Sequence, residues 1–183
     1  QIGIRDRHFT VPAKEPTGQQ IEGYFGDMLS LARDFPDYVV FYNGPRSGAS
    51  IPDHMHFQLA PRHVLPLEEE ITRGPLTALH SQEELEISTL EPYLRKNLLL
   101  RSKNKNTAEW GFYKILKSIG KVTFNDPEPM INLFCWYDTG TWWTVIFPRV
   151  NTAPGSFLPK ETNKFSLVPA VLILQVLSLL PAK

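Results

Sequence analysis

Three polar residues alternate along Asp53-His-Met-His-Phe-Gln58, namely His54, His56 and Gln58. Residues two apart in a strand stand about 7 Å from each other on one face, so these side chains can converge on one ligand. Met55, Phe57 and Leu59 fall on the opposite face and can anchor the strand in a core. Imidazole suits nucleophilic or acid–base work near neutral pH. Glutamine donates hydrogen bonds but has no titratable proton to shuttle. The approach to this strand, Gly44-Pro-Arg-Ser-Gly-Ala-Ser-Ile-Pro52, is a loop of small residues. Within it Ser47, Gly48, Ala49 and Ser50 offer unobstructed backbone N–H groups and two hydroxyls, the makings of an anion-binding nest. Arg46 beside them has the fork geometry for bidentate phosphate contact.

The stretch Asn43 to Gln58 resembles the histidine-triad superfamily, in the transferase branch where glutamine replaces the third histidine. That branch includes the galactose-1-phosphate uridylyltransferases, the diadenosine tetraphosphate phosphorylases and the GDP-L-galactose phosphorylases. The Asn-Gly-x-x-Ser-Gly-Ala-Ser approach is similar to the second group, and His-Met-His-Phe-Gln to the third. The likeness is greatest to an uncharacterised bacterial branch with Tyr-Asn-Gly-Pro-Arg-x-Gly-Ala-Ser and Pro-Asp-His-x-His-Phe-Gln. It extends over residues 7–66 and resumes at 131–149, where Trp143 leads into Ile146-Phe-Pro-Arg149.

The resemblance implies an α+β, histidine-triad-like fold, a mainly antiparallel sheet with two or three helices. It implies that the His56 imidazole attacks the α-phosphorus of a nucleotide, nucleotide sugar or dinucleotide to form a nucleotidyl-histidine. Phosphate or a sugar phosphate then accepts the nucleotidyl group. His54 would orient the site and Gln58 would donate to a non-bridging phosphate oxygen. Ser47, Gly48, Ala49, Ser50 and Arg46 would lie at the phosphates, Asn43 would support the loop, and His8 would lie near the nucleotide. Relatives carry upstream cysteine-containing segments that hold a structural metal or shape the nucleoside pocket. Those are expected to precede residue 1, so no metal or other cofactor is expected in this chain. A homodimer of the kind many relatives form is compatible with the reading.

Two other classes fit parts of the pattern. A non-catalytic nucleotide or sugar-phosphate binding domain would keep the loop and strand. A cupin-like metal enzyme would use Gly48-x5-His54-x-His56 as its first ligand motif. Ala60 and Pro61 stand where the cupin glutamate is expected, and two imidazoles without a third ligand make a poor metal site.

Positioning these residues requires flanking elements. Residues 7–12 read as a strand ended by Pro12. Thr17-Gly-Gln-Gln20 reads as a capping box opening a helix over about 18–34, with Ile21, Phe25, Met28, Leu29 and Ala32 at helical spacing. Strands are expected at 38–43, 53–60, 85–90 and 96–102. A helix is expected at 107–119, capped by Asn106 or Thr107, with Trp110, Tyr113, Leu116 and Ile119 inward and Gly120 past its end. Strands 131–138 and 141–147 form a hairpin about Asp-Thr-Gly. Trp136, Trp142 and Trp143 read as core and cross-strand packing, Cys135 as buried and inert. Lys103–Asn106 reads as a turn, Glu68–Glu70 as a solvated face, and Asp126–Pro129 as a stiff loop. His63 and His80 read as surface residues.

At 183 residues with 42% hydrophobic and 21% charged residues, the chain is sized for one domain. Nineteen basic residues balance nineteen acidic ones, which argues against a nucleic-acid partner. A single cysteine rules out an internal disulfide and makes a reducing, cytoplasmic setting the expectation. The apolar run 167–180 is short and broken by Pro169, Gln175 and Ser178, so no membrane span is expected. Residues 1–183 are expected to form most of one catalytic domain, without its upstream part and with an atypical apolar tail at 166–183.

Overall fold

The computed structural model describes residues 8–82, 84–122 and 126–149. The sequence expectations for residues 1–7 and for the tail at 166–183 lie outside these. Eight strands build one sheet: β1 (Phe9–Pro12), β2 (Tyr38–Asn43), β3 (His56–Pro61), β4 (Leu76–Gln82), β5 (Leu85–Leu90), β6 (Leu98–Ser102), β7 (Ile131–Asp138) and β8 (Thr141–Pro148). Three helices accompany them: α1 (Phe25–Asp34), α2 (Pro66–Arg73) and α3 (Lys105–Val122). The strand order is β1-β3-β2-β7-β8-β6-β5-β4, and every neighbouring pair is antiparallel. This is the α+β architecture that the sequence implies.

Helices α1 and α3 cover one face. Phe25, Met28, Leu29 and Ala32 of α1 and Ala108, Phe112, Ile115 and Ile119 of α3 repeat at three- and four-residue spacing and are buried there. Phe25 and Phe112 stack with ring centroids 3.8 Å apart. They pack on Val40, Tyr42, Phe57, Leu59, Leu133 and Cys135, the alternate residues of three adjacent strands. The other face carries a smaller core of Val39, Leu99, Trp136, Val145 and Phe147 under Leu67 and Ile71 of α2. Trp136 and Trp143 pair across the β7–β8 hairpin with planes 9° apart, while Trp142 lies in the larger core. Thr139 and Gly140, both with positive φ, make the two-residue turn that matches strand twist.

Several elements differ from expectation, each for a local reason. The first helix starts at Phe25 rather than 18, because Gly23 takes φ +82 just before it. The residues read as its capping box are used elsewhere: Thr17 hydrogen-bonds the Tyr24 hydroxyl, and Gln19 reaches into the sheet. The histidine-bearing strand is regular only from His56, and the strand expected from 96 begins at Leu98. In α3 the cap is Asn104, whose side-chain oxygen accepts from the N–H groups of Asn106 and Thr107. The helix runs through Gly120, and Trp110 is 40% exposed with Lys114 over its ring. Helix α2 and strand β4 were not expected. Within α2, Glu68 is buried rather than solvated: its carboxylate accepts from Arg62 Nε at 2.8 Å and from the His63 N–H at 2.6 Å. The His63 side chain is exposed, as expected, and His80 is half-buried in β4.

No helix among the described residues is long and apolar enough to cross a membrane.

Candidate functional site

The sheet opens beside the histidines. The β2–β3 ladder ends at Phe41 opposite Gln58, two residues short of the level where Asn43 and His56 would pair. On the other side of β3, His56 faces Pro12, which has no N–H to give. The side chain of Gln19 occupies the gap. Its amide nitrogen donates to the carbonyls of Asn43 (3.0 Å) and His56 (3.1 Å), and its oxygen accepts from the His56 N–H (2.9 Å). One buried side chain thus replaces a strand partner for His56 and ties it to the start of the small-residue loop. Gln19 is itself fixed by its N–H to the Pro52 carbonyl, and the Met55 N–H reaches the Thr17 carbonyl.

Alternation then sets the faces. Met55, Phe57 and Leu59 enter the larger core, so His56 and Gln58 stand on the opposite face. His56 is 4% exposed, and its Nδ1 lies 2.8 Å from the His54 carbonyl oxygen. A carbonyl only accepts, so Nδ1 carries a proton, and in the neutral ring the lone pair lies on Nε2. His54 Nε2 donates to the Ala13 carbonyl at 2.9 Å by the same logic. His8 Nε2 donates to Gln58 Oε1 at 3.0 Å and stacks on Phe41. That bond engages the Gln58 amide oxygen and leaves its NH2 group without a partner among the described residues.

The loop is tied down from beneath. Gly44 accepts from the N–H groups of Ser47 (2.8 Å) and Ala49 (3.3 Å), so these two are used within the loop. Gly48 takes φ +102, a conformation glycine adopts at no steric cost, and Gly48 and Ser50 lie exposed. Ser47 is buried, and its hydroxyl finds no partner among the described residues. Its carbonyl receives Asn132 Nδ2 at 2.9 Å and Arg149 Nη1 at 3.1 Å. The same Asn132 nitrogen donates to Asn43 Oδ1 at 2.6 Å. Arg46 extends outward to Asp126 at 3.3 Å. A continuous set of contacts therefore runs from His56 through Gln19, Asn43 and Asn132 to Ser47 and Arg149.

Of the expected site residues, the structure gathers His56, Asn43 and the 46–50 loop at one end of β2 and β3, with Gln58 two residues further along β3, where His8 contacts it from the start of β1. His54 lies at the same end with its ring turned to Ala13. Sequence reasoning missed Gln19, Asn132 and Glu128. Glu128, in the segment read as a stiff loop, is buried and accepts from the Tyr42 hydroxyl (2.6 Å) and the Ile21 N–H (2.8 Å). Burial pushes its carboxyl up to about 7, against the opposing pull of those two hydrogen bonds. The same burial, with the Glu128 charge beside it, drives the Tyr42 phenol far above its usual range. Cys135 is fully buried with its thiol pushed up to about 12, as expected of an inert cysteine. Among the described residues no group of three or more His, Cys, Asp or Glu side chains is placed to hold a metal ion.

Residues 2–61 match a family described as a domain of unknown function (DUF4922). The fold is similar to a crystal structure of a DUF4931 family protein from Bacillus cereus ATCC 10987, with a TM-score of 0.55 and 16% identity. That similarity covers 85% of this chain and 76% of the other. No curated protein matches the sequence.

Proposed function

We propose that the chain is a nucleotidyltransferase or nucleotide phosphorylase that carries a nucleoside monophosphate on His56. The observation that supports this best is the 2.8 Å contact between His56 Nδ1 and the His54 carbonyl, which makes Nε2 the lone-pair nitrogen of the neutral ring. In the first step that lone pair attacks the α-phosphorus and the bond to the bridging oxygen breaks. The departing phosphate or sugar phosphate keeps the bonding electrons. In the second step a phosphate oxygen attacks the same phosphorus, and the P–N electrons return to Nε2. A phosphate leaving group has a second pKa near 6, so it departs without needing a proton. Gln58, which has none to give, suits that departure. Its oxygen is held by His8, so its NH2 group is the end that would donate to a non-bridging oxygen.

Incubation with labelled nucleoside diphosphate sugars and dinucleotides tests the reading. The expected result is an acid-labile, base-stable label on the unsubstituted chain that is absent from His56→Asn. Ligand-dependent melting shifts without any label would instead identify a binding domain and overturn the catalytic reading. Stoichiometric metal that disappears when His54 and His56 are both replaced would point to the cupin-like alternative.

A further inference from the structure

In the proposed reaction Gln58 and the 46–50 loop serve the transferred phosphate, yet every nucleotidyl donor carries a second. The group that departs in the first step does so with close to two negative charges. It needs a fixed positive charge rather than a proton donor. Arg46 is a weak candidate, since its guanidinium is engaged by Asp126. Arg149 meets the requirement. Its backbone is pinned by a 2.7 Å bond from its N–H to the Met130 carbonyl, immediately beyond the β7–β8 pairing. Its Nη1 donates to the Ser47 carbonyl, and among the described residues it pairs with no carboxylate. Guanidinium carries five donors, so four remain. The Arg149 N–H bond to Met130 continues the hairpin one residue past β8, which carries the alternation on and puts Arg149 on the side of Phe147, and Asn132 opposite Phe147 shares that face with His56 and Gln58.

We propose that Arg149 is the second phosphate ligand of this site, binding the phosphoryl group that leaves His56's substrate and the phosphate that later attacks the nucleotidyl-histidine. This rests on the reading above. By microscopic reversibility the leaving and entering phosphates occupy one place, so a single guanidinium serves both half-reactions. The Ser47 carbonyl holds the guanidinium against the loop, which makes Arg149 a ligand set by the loop rather than a free surface cation.

Inorganic phosphate and pyrophosphate, titrated calorimetrically into the full chain, test the assignment without catalysis. Arg149→Gln is expected to weaken binding of both by roughly tenfold or more, with Arg149→Lys between it and the unsubstituted chain. Affinity of Arg149→Gln within twofold of the unsubstituted chain, or no phosphate binding by the unsubstituted chain at millimolar concentration, overturns the proposal. A second measurement needs no variant. Phosphate should protect Arg149 from phenylglyoxal, read by mass spectrometry, while leaving the exposed Arg73 reactive. Equal modification of Arg149 with and without phosphate overturns the proposal even if Arg149→Gln fails to fold. Arg149-dependent phosphate binding without any His56 label would defeat the catalytic reading and overturn the role given to Arg149 in transfer, keeping only its assignment as a phosphate ligand. A His56 label that forms equally fast in Arg149→Gln would do the reverse.

Discussion

At the scale of single residues, the geometry turns on Gln19. It satisfies three backbone groups with one amide, a role that no neighbouring side chain duplicates. Replacing it by leucine strands the His56 N–H and two carbonyls in a buried setting, where an unmet polar group costs about 1–3 kcal/mol. Gln19→Leu is therefore expected to lose on the order of 3 kcal/mol of unfolding free energy in a urea titration, and to lose the His56 label. Gln19→Glu keeps the acceptor for the His56 N–H but donates to neither carbonyl, so it should fall well short of full recovery. The histidines and the loop were legible because their chemistry is written in consecutive residues with a period of two. Gln19 was not. Its partners lie 24 and 37 residues away, and its local setting offered a competing and simpler helix-capping explanation. Glu128 was hidden by a similar ambiguity, since Pro127 and Pro129 signal a loop whether or not the acid between them is buried.

At the scale of elements, strands with strong β-branched or aromatic patterns were readable almost to the residue: 38–43, 85–90 and 131–138 stand as expected. Helix α2 was not, because eight residues with three consecutive glutamates look like a solvated surface. Only the tertiary fold supplies Arg62, which pairs with Glu68 and allows it to be buried. The end of this helix makes a sharp test. Gly74 has an ordinary negative φ, a position where alanine normally adds stability by restricting the unfolded chain. Here an added Cβ would lie 2.4 Å from both the Glu70 carbonyl oxygen and Leu90 Cδ1. Gly74→Ala is expected to destabilise by about 1–3 kcal/mol, seen as a lower denaturation midpoint with an unchanged slope. Stabilisation would mean that α2 packs less closely on β5 than the structure has it.

At the scale of the whole molecule, Glu128 links parts of the chain that share no backbone ladder: the segment before α1 through Ile21, the end of β2 through Tyr42, and the loop through its closeness to Gly44. Its folded-state pKa of about 7 lies above the ordinary value of 4.5, so the folded state favours the protonated form. That stabilisation is fully present below about 4.5 and is lost as pH rises toward 7, at up to about 1.4 kcal/mol per pH unit. Glu128→Gln, which imitates the neutral acid, should flatten the fall in stability between these limits in melts recorded across the range. A parallel decline in variant and unsubstituted chain would assign the effect to another group. The α+β architecture itself was legible from alternation and turn chemistry, whereas the strand order required contacts between residues far apart in sequence. The gap between β2 and β3 carries a consequence for local opening. The His56 amide hydrogen is protected by a side chain instead of a neighbouring strand, so its exchange with deuterated solvent reports detachment of residues 17–21. It should exchange well before the Leu59 and Val40 amides deeper in the ladder, giving a clock for breathing at His56 that runs independently of global unfolding.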